Sequence, residues 1–366
     1  MPRMTRAAVA FAPKEPMQIL EVELADPGPG EVLVRYLATG LCHSDLHALD
    51  GTIEEHFPII CGHEALGDVV EVGVGVTDFA PGDRVMAFLV PDCGKCPFCL
   101  SGRTNFCLEF AARRTNPTTP FSWQGKPIYP FMGIASFAEM SVVPADQLVK
   151  VSAAARVDEA CCIGCGVTTG IGAALISAKV TGGSSVAVFG VGGVGLSVIK
   201  GAKLAGAATI IAVDVNEGKR AVALGAGATH FVNPKAVEDV ALAVQGLTGL
   251  GADFAFECVG IPALAAQALA STNPCWGVAV NVGVMPTGSE IAAPPFQLLT
   301  GRRWTGSFMG GARRADVARY VEMFVRGEFG LDDLVSHRLT LDEINHGFDM
   351  MKSGEAVRSV VLYHPA

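Results

Sequence analysis

A glycine-rich turn between two apolar segments constrains the fold of this chain more than any other feature. The turn follows a predicted strand over residues 185–189 and opens a predicted helix over 194–204. Its sequence, Gly190-Val191-Gly192-Gly193-Val194-Gly195, matches the G-x-G-x-x-G pattern. The first glycines permit a tight turn close to a diphosphate, the third lets helix and strand pack, and the helix N-terminus favours anions. The sequence therefore predicts a dinucleotide site at Gly190, Gly192, Gly193, Val194 and Gly195.

Short apolar strands continue to alternate with helices after this turn. We predict strands over residues 210–213, 254–257 and 278–282, with a helix over 218–224. Alternating strands and helices are typical of a doubly wound parallel sheet. The predicted fold class is therefore α/β, with residues 167–308 forming a Rossmann domain that binds NAD.

The remaining residues, 1–166 and 309–366, predict a second domain rich in β-strands. Segments such as 31–36 alternate apolar and polar residues, and glycine and proline separate them. The C-terminal part predicts an amphipathic helix over 316–325 and a final strand over 358–363. A chain of 366 residues is long enough for two domains. We therefore expect the Rossmann domain to be inserted into a mostly antiparallel one.

An acidic residue at the end of the next predicted strand indicates which dinucleotide is bound. Asp214 lies nineteen residues after Gly195, where a carboxylate can accept hydrogen bonds from the adenosine ribose. The same carboxylate would repel the 2′-phosphate of NADP. We therefore predict NAD rather than NADP, with Lys219 as a further contact to this ribose.

Four cysteines within fifteen residues give the strongest local signal of the chain. Four thiolates at this spacing can close a tetrahedron around zinc, and a site with four protein ligands is structural rather than catalytic. Unligated buried thiols and an iron–sulfur cluster are the alternatives. The predicted structural zinc ligands are Cys93, Cys96, Cys99 and Cys107.

A second predicted metal site is assembled from dispersed residues. The motifs Gly40-Leu41-Cys42-His43-Ser44-Asp45, Cys61-Gly62-His63-Glu64 and Gly164-Cys165-Gly166 offer two thiolates and an imidazole. Three such ligands leave the fourth position of zinc open, which is the catalytic arrangement. Each motif alone would be weak, since a single histidine is more often structural. Together they predict a catalytic zinc held by Cys42, His63 and Cys165.

Residues beside these ligands have the side chains that alcohol oxidation requires. Zinc acts as a Lewis acid on an alcohol oxygen and favours loss of its proton. Ser44 could bond that oxygen, and His47 could pass the proton to solvent. Asp45 could orient the His63 imidazole as a neighbouring carboxylate. Glu64 is predicted near the metal, and an ordinary loop serine and a surface histidine are the plain alternatives for Ser44 and His47.

Composition excludes several classes of function. The net charge is −9 with no long run of lysine or arginine, which argues against nucleic acid as a partner. No signal peptide or uninterrupted apolar span of about eighteen residues is found, so we expect no membrane anchor. Eleven cysteines without an export signal argue against a disulfide framework. A cytoplasmic location is the expectation.

The glycine turn and the two cysteine-containing sites resemble the zinc-containing, medium-chain alcohol dehydrogenase family over essentially the whole chain. The resemblance implies a GroES-like catalytic domain joined to a Rossmann domain and an NAD-dependent oxidoreductase with two zinc ions per subunit. It assigns the two zinc sites to the cysteines and histidine above, and the proton relay to Ser44 and His47. It further implies cofactor contacts at His43, Thr169, Val282 and Arg358.

The substrate expected from the same resemblance is a primary aryl or allylic alcohol. The long segment 109–144 resembles bacterial aryl-alcohol and class III relatives, and the implied pocket is apolar. S-(hydroxymethyl)glutathione is the alternative substrate, disfavoured because no arginine lies between Leu108 and Ala112 and because His47 is present. Ile261 replaces a common arginine near the adenine. The pocket residues implied are Leu89, Ala112, Phe131, Met132, Val284 and Phe308.

The resemblance also implies a quaternary state. A strand around residues 304–311 resembles the one that joins two subunits, so a homodimer is expected, with a tetramer second. Two other functions compete: a zinc-free reductase or non-enzymatic structural protein on the same fold, and a zinc-ribbon binding module. The seven ligands argue against the first and the acidic charge against the second. The five remaining cysteines are expected to be small buried side chains: Cys61, Cys161, Cys162, Cys258 and Cys275.

Overall fold

The computed structural model describes residues 3–363, and the chain divides into two compact units. The first unit comprises the residues up to Cys165 and those from Arg313 onward, and the second comprises Gly166–Ala312. The sequence-based limits differ from these by one residue at the first boundary (166 against 165) and four at the second (309 against 313). The outer predicted limits, residues 1 and 366, lie outside the described residues.

Strands are numbered here in chain order over the described residues. They are β1 (Arg3–Ala10), β2 (Gln18–Leu24), β3 (Glu31–Gly40), β4 (Ile59–Ile60), β5 (Glu64–Val72), β6 (Arg84–Ala87), β7 (Phe121–Trp123), β8 (Lys126–Pro130), β9 (Met140–Pro144), β10 (Leu148–Lys150), β11 (Ser185–Phe189), β12 (Thr209–Val213), β13 (His230–Val232), β14 (Phe254–Glu257), β15 (Val278–Asn281), β16 (Arg303–Gly306), β17 (His337–Leu339) and β18 (Ser359–Leu362).

The α-helices are numbered in the same way. They are α1 (His43–Leu49), α2 (Pro97–Leu100), α3 (Leu108–Thr115), α4 (Val157–Ala160), α5 (Gly166–Gly172), α6 (Gly193–Leu204), α7 (Arg220–Ala226), α8 (Val240–Thr248), α9 (Pro262–Ala270), α10 (Pro295–Leu299), α11 (Arg314–Val325) and α12 (Ile344–Ser353). Short 3₁₀ turns connect several of them, and a π-helical turn, Ala173–Ser177, continues α5.

The first unit is built from two β-structures. Strands β1, β2, β7, β8 and β4 close a small barrel, and β10, β6, β5, β3, β18 and β17 form a sheet in that order, with β9 also paired to β3. Most pairings are antiparallel, as the alternating sequence pattern predicts. A cluster of buried apolar side chains includes residues of the barrel strands, and Phe121, Phe131 and Phe137 are among its largest fully buried members.

The second unit is a six-stranded parallel sheet in the order β13-β12-β11-β14-β15-β16. The runs Ser185–Phe189 and Thr209–Val213 are apolar and almost fully buried, which is typical of strands covered on both faces. The strand order reverses between β11 and β14, so the carboxyl ends of these strands form the expected ligand-binding edge. This parallel, doubly wound sheet confirms the predicted α/β class.

Local sequence explains where several helices begin and end. The Asp239 side chain accepts a hydrogen bond from the Leu242 backbone at the start of α8, and Gly249 ends that helix with φ +85°. The predicted strand over 304–311 is shorter than expected. Strand β16 ends at Gly306, because Met309, Gly310 and Gly311 take positive φ values in a 3₁₀ turn.

No single helix between residues 3 and 363 is long and apolar enough to cross a membrane. A bent pair, Val157–Gly164 with Gly166–Ser177, meets the criteria by length and composition, which buried core helices also meet.

Candidate functional site

A buried carboxylate joins two of the three chain segments that carry the predicted ligands of the catalytic zinc. Asp45 lies in the first turn of α1 and is fully buried. Its Oδ2 accepts a hydrogen bond from the Cys42 backbone at 3.1 Å, and its Oδ1 accepts one from the Gly62 backbone at 2.8 Å. The same Oδ1 lies 3.0 Å from Nδ1 of His63. Asp45 therefore fixes the loop before α1 and the imidazole of His63 together.

The structure brings Cys42, His63 and Cys165 together with Glu64. One potential ligand atom of each lies within 4.8 Å of all the others, and all four residues are buried. In the described part of the chain, Nε2 of His63 has no hydrogen-bond partner, although it is shielded from solvent. A buried imidazole whose Nδ1 is held by a carboxylate presents Nε2 as a metal ligand. Two thiolates and this nitrogen fit zinc.

The electrostatics of this group favour a negatively charged sulfur. The Cys165 thiol donates to Cys42, and this contact, with the nearby His63 imidazole, holds the pKa of Cys42 well below its ordinary value despite burial. The same contact raises the pKa of Cys165. Thiolate is the form that binds metal, so the group is suited to a cation.

Glu64 faces a buried guanidinium. Its Oε1 lies 3.4 Å from Nη1 of Arg358, and that nitrogen donates to the carbonyl of Leu41 at 2.6 Å. Burial raises the pKa of Glu64 to about 8, even though Arg358 opposes the shift. Arg358 was predicted to contact the diphosphate of the cofactor; the structure places its side chain inside the first unit, only 5% exposed, and the cofactor role stays a prediction.

The predicted proton relay lies on α1, directly after the first zinc ligand. The hydroxyl oxygen of Ser44 is 3.8 Å from the sulfur of Cys42. Nδ1 of His47 is buried without a hydrogen-bond partner among the described residues. The His43 ring centroid lies 6.5 Å from that of His47, and His43 itself is exposed. Ser44 is therefore placed beside the metal ligands, and the relay roles stay predictions.

The four-cysteine loop forms a second compact ligand group. The sulfurs of Cys93, Cys96, Cys99 and Cys107 all lie within 4.8 Å of one another. Backbone N–H groups point at two of them, from Cys96 to the Cys93 sulfur at 3.4 Å and from Cys99 to the Cys96 sulfur at 3.5 Å. Backbone hydrogen bonds from Leu108 and Cys99 lower the pKa of Cys96 to about 6. This arrangement fits a structural zinc.

The glycine turn has the geometry of a diphosphate cradle. Gly190 has φ +90°, and a Cβ there would overlap the side chain of Val259. A Cβ at Gly195 would overlap the carbonyl of Gly190, so only glycine lets α6 pack this close to β11. A Cβ at Gly192 would meet no atom within 4 Å. Gly192 therefore leaves the N-terminus of α6 open to the close approach of an anion.

Asp214 lies next to this turn, at the end of β12. Its Oδ2 accepts a hydrogen bond from the Val191 backbone at 2.8 Å and lies 3.2 Å from Nζ of Lys219. Its Oδ1 accepts from the Asn216 backbone at 2.9 Å. The carboxylate is thus held rigidly at the end of β12 beside Lys219, and the ribose contacts of both residues stay predictions.

An acidic residue that was not predicted from the sequence lies at the same edge of the sheet. Glu257 ends β14, is fully buried, and its Oε1 accepts hydrogen bonds from the Val259 and Gly260 backbones at 2.8 Å each. Its backbone carbonyl accepts from Val282, a predicted cofactor contact, at 2.8 Å. Glu257 therefore holds two backbone segments, the one after β14 and the one after β15, beside the glycine turn. The signal that could have revealed it is an acidic residue at the end of β14, because β14 pairs with β11, the strand before the glycine turn.

Other residues predicted to contact the cofactor also lie in the second unit. The Thr169 hydroxyl lies 3.6 Å from the sulfur of Met309. Ile261, where relatives place an arginine, precedes α9 and is 45% exposed. The positions of Thr169 and Ile261 do not test what was predicted for them, so the cofactor contact of Thr169 and the missing contact at Ile261 stay predictions.

Four predicted substrate-pocket residues belong to the first unit. The Phe131 ring packs edge-on against the His63 imidazole with centroids 5.8 Å apart. Met132 lines a cavity together with Phe110, Arg113, Arg114 and other side chains. Leu89 is buried and Ala112 is exposed on α3. The other two predicted residues lie in the second unit, where both are partly exposed: Val284 and Phe308.

The expectation of buried cysteines holds for three of the five unassigned residues. Cys61, Cys161 and Cys162 are buried, and Cys258 is half-buried. The expectation was wrong for Cys275, which is exposed. It lies in the turn between α9 and β15, and connecting segments run over the surface because their backbone needs solvent.

Comparison with known proteins agrees with this geometry. The family profile "Alcohol dehydrogenase GroES-like domain" matches residues 28–153, and "Zinc-binding dehydrogenase" matches residues 193–326. The chain is 45% identical to the S-(hydroxymethyl)glutathione dehydrogenase of Paracoccus denitrificans, over 98% of this chain and all of that protein.

Two solved structures are similar over the whole chain. A zinc-binding-domain alcohol dehydrogenase from Burkholderia ambifaria has a TM-score of 0.95 at 34% identity, covering 100% of both chains. Benzyl alcohol dehydrogenase from Acinetobacter calcoaceticus has a TM-score of 0.92 at 30% identity, covering 99% of this chain and 100% of its own. Zinc and a nicotinamide dinucleotide fit this family and the two ligand groups described above. The chain belongs to the zinc-dependent alcohol dehydrogenase family of oxidoreductases, with a GroES-like and a Rossmann domain.

Proposed function

We propose that this enzyme transfers hydride between a primary alcohol and NAD at a zinc ion held by Cys42, His63 and Cys165. The observation that carries the proposal is the buried Nε2 of His63, which has no partner among residues 3–363 and faces two thiols. A structural histidine would bond both ring nitrogens within the protein, since an unsatisfied buried nitrogen is costly. Three ligands also leave a position for the alcohol.

The remaining steps belong to side chains of this chain. When bound, zinc supplies a Lewis acid that lowers the pKa of the alcohol hydroxyl. Asp45 holds the His63 imidazole in one orientation, and the Ser44 hydroxyl accepts the proton of the alcohol while releasing its own hydroxyl proton towards His47. His47 passes that proton to solvent, so that alcohol and NAD yield aldehyde, NADH and one proton. Cys93, Cys96, Cys99 and Cys107 hold the second, structural zinc.

NAD is the proposed cofactor rather than NADP. Asp214 is fixed beside the glycine turn by backbone donors at 2.8 and 2.9 Å, so it cannot easily move away from an added phosphate. A fixed carboxylate accepts hydrogen bonds from ribose hydroxyls and repels a 2′-phosphate. The proposed cofactor contacts are those predicted above, from the glycine turn to Asp214 and Lys219.

S-(hydroxymethyl)glutathione becomes the first candidate substrate. The Paracoccus denitrificans relative at 45% identity bears its name, which supports this substrate over the aromatic alcohol that the sequence favoured. The adduct carries carboxylates, and the cavity beside Met132 contains the guanidinium groups of Arg113 and Arg114. Both arginines directly follow residues 108–112, the segment in which the absence of an arginine argued against this substrate. Both are paired with acids, Asp146 and Glu55, so a substrate carboxylate would have to share them.

An aryl or allylic alcohol is the second candidate. The benzyl alcohol dehydrogenase with a TM-score of 0.92 supports it. The same cavity is also lined by apolar and aromatic side chains that suit a ring without charge, among them Phe110, Ile59 and Tyr129.

A substrate panel on protein of known zinc content distinguishes the two candidates. NADH formation is measured with formaldehyde plus glutathione, with benzyl alcohol and with ethanol, each with NAD and with NADP. We expect turnover with NAD and the highest kcat/KM for the adduct, with no adduct turnover when glutathione is omitted. A higher kcat/KM for benzyl alcohol would replace the adduct by the aryl substrate. No turnover of any alcohol by the zinc-loaded protein would contradict the proposed function.

The quaternary state, location and domain roles complete the proposal. Strand β16 lies at the edge of its sheet, and exposed apolar side chains such as Phe296 and Leu299 lie nearby in sequence. Such an edge supports a homodimer, with a tetramer second; sedimentation of the purified protein tests it. None of the eleven cysteines, all of which lie in the described part of the chain, forms a disulfide, and this supports a cytoplasmic location. Residues 1–166 with 309–366 would be the catalytic domain, and 167–308 the NAD domain.

A further inference from the structure

Three separate segments of the first unit carry predicted substrate-pocket residues. Leu89 follows β6, Ala112 lies on α3, and Phe131 with Met132 forms the 3₁₀ turn Phe131–Gly133. None of these segments is hydrogen-bonded to another as part of a sheet. Backbone hydrogen bonds from Phe88 and Asp92 hold the Leu89 segment against residues 145–147, and side-chain contacts tie the other two segments to the same residues.

One buried carboxamide contacts all three segments. Gln147 ends the 3₁₀ turn Ala145–Gln147 and is 1% exposed. Its Nε2 donates to the Leu89 carbonyl at 2.7 Å and to the Met132 carbonyl at 2.9 Å, which uses both of its hydrogens. Its Oε1 accepts from Nη1 of Arg113, the neighbour of Ala112, at 3.2 Å. Gln147 thus satisfies every hydrogen-bonding group of its side chain by linking the three segments.

The turn that Gln147 holds has an unusual backbone. Met132 has φ +53° and Gly133 has φ +74°, and a positive φ is unfavourable for a methionine. Such a conformation persists only where surrounding contacts fix it. The Met132 carbonyl bond to Gln147 is one such contact, and the Phe131 ring in the same turn packs on the imidazole of His63. The Gln147 side chain therefore controls a turn that begins against the zinc ligand.

A salt bridge fixes Arg113, the residue that donates to the carboxamide oxygen of Gln147. The guanidinium of Arg113 bonds both oxygens of Asp146, at 2.7 and 2.6 Å, through two nitrogens. A bidentate pair of this kind fixes the guanidinium plane. Asp146 adjoins Gln147 in the chain, so Arg113 and Gln147 are held in one orientation.

We propose that Gln147, oriented by Arg113 and Asp146, is a positioning residue that sets the width of the substrate pocket by fixing the 131–133 turn, Leu89 and α3 relative to one another. This inference rests on the proposed function, because it takes these segments as the pocket walls. It assigns Gln147 no contact with zinc, the cofactor or the reacting atoms. Its loss should therefore affect substrates that reach the walls and spare those that do not.

The variant Gln147→Leu tests this, because leucine fills similar space without any hydrogen bond. We expect kcat/KM to fall about tenfold for benzyl alcohol, mainly through KM, since small displacements of positioning groups have effects of this order or larger. For ethanol, kcat/KM should stay within about twofold, and KM for NAD should not change. Gln18→Leu, at an exposed position in β2, is the matched control. All rates are divided by catalytic zinc content, which corrects for misfolded protein.

A second variant and a second measurement guard against misfolding. Arg113→Lys keeps the charge but loses the bidentate pair, and it should shift the benzyl alcohol to ethanol ratio in the same direction by a few-fold. Hydrogen exchange of the backbone amides of residues 131–135 reports the anchoring without turnover. We expect faster exchange in Gln147→Leu than in the Gln18→Leu control.

The outcomes separate the inference from the proposed function. An equal fall for both alcohols, an unchanged ratio in both variants, or unchanged exchange in the turn would overturn the role of Gln147 while leaving the enzyme activity established. A wild-type protein that oxidises no alcohol would overturn the proposed function and the inference together.

Discussion

Replacing Asp45 by asparagine should weaken the binding of the catalytic zinc while leaving the binding of the structural zinc unchanged. The carboxylate accepts three hydrogen bonds, from the Cys42 and Gly62 backbones and from Nδ1 of His63. Asparagine has one acceptor oxygen, so its amide group must face at least one of these donors. A hydrogen bond to a charged group contributes about 1.5–3 kcal/mol. Losing one should weaken zinc binding roughly 10–100-fold, the range typical for residues that orient a metal-binding histidine.

The two zinc sites of one chain make the measurement internally controlled. The protein is titrated with increasing concentrations of a chromophoric zinc chelator, and the number of zinc ions released per chain is measured. We expect Asp45→Asn to lose one zinc at a lower chelator concentration than the wild type and to retain the second one unchanged. Asp50→Asn is the matched control, because Asp50 follows the same helix and its carboxylate bonds only the Thr52 backbone in the described structure.

The reasoning would be refuted by one clear result. If Asp45→Asn keeps two zinc ions per chain with wild-type affinity, the carboxylate does not orient His63 as a metal ligand. Loss of both ions together would also contradict it, because the four-cysteine loop shares no hydrogen bond with Asp45 in the structure.

Three further perturbations test the cofactor and structural sites. Gly190→Ala should weaken NAD binding and lower the free energy of unfolding by about 1–3 kcal/mol, since φ is +90° and the new Cβ overlaps Val259; isothermal titration with NAD and denaturant melts measure both, and wild-type affinity would contradict the cradle. Asp214→Ser should raise the NADP to NAD ratio of kcat/KM at least roughly tenfold by removing one charge; an unchanged ratio would exclude Asp214 as the discriminating residue. Cys99→Ser should release one zinc ion and lower Tm, while the remaining zinc stays bound; a chain that still holds two ions would contradict the four-thiolate site.

Much of the site was predictable because its chemistry depends on short spacings in the chain. The predicted strand over 185–189 coincides with β11, and the helix after the turn begins one residue earlier than expected, at Gly193. A G-x-G-x-x-G turn has few conformations, since Gly190 and Gly195 each leave no space for a Cβ. The four cysteines are likewise close in sequence, so a short loop brings their sulfurs together.

Other residues could not be predicted, since their partners are distant in the chain. Gln147 bonds Leu89 and Met132, which lie 58 and 15 residues away, and nothing in its local sequence indicates these contacts. Glu257 looks like an ordinary residue at a strand end, and only the paired strand β11 reveals its place beside the glycine turn. The exposure of Cys275 depends on which side of the sheet its turn faces.

The sequence by itself determined the parallel sheet, the glycine cradle, the four-cysteine group and the types of ligand for a catalytic zinc. These follow from local backbone sterics, from the periodicity of apolar residues and from the chemistry of sulfur and nitrogen. Only the tertiary structure decided that Arg358 is buried against Glu64 and that one carboxamide links the segments predicted to line the pocket. Hydrogen bonds between distant segments depend on how the whole chain packs, and no short stretch of sequence contains that information.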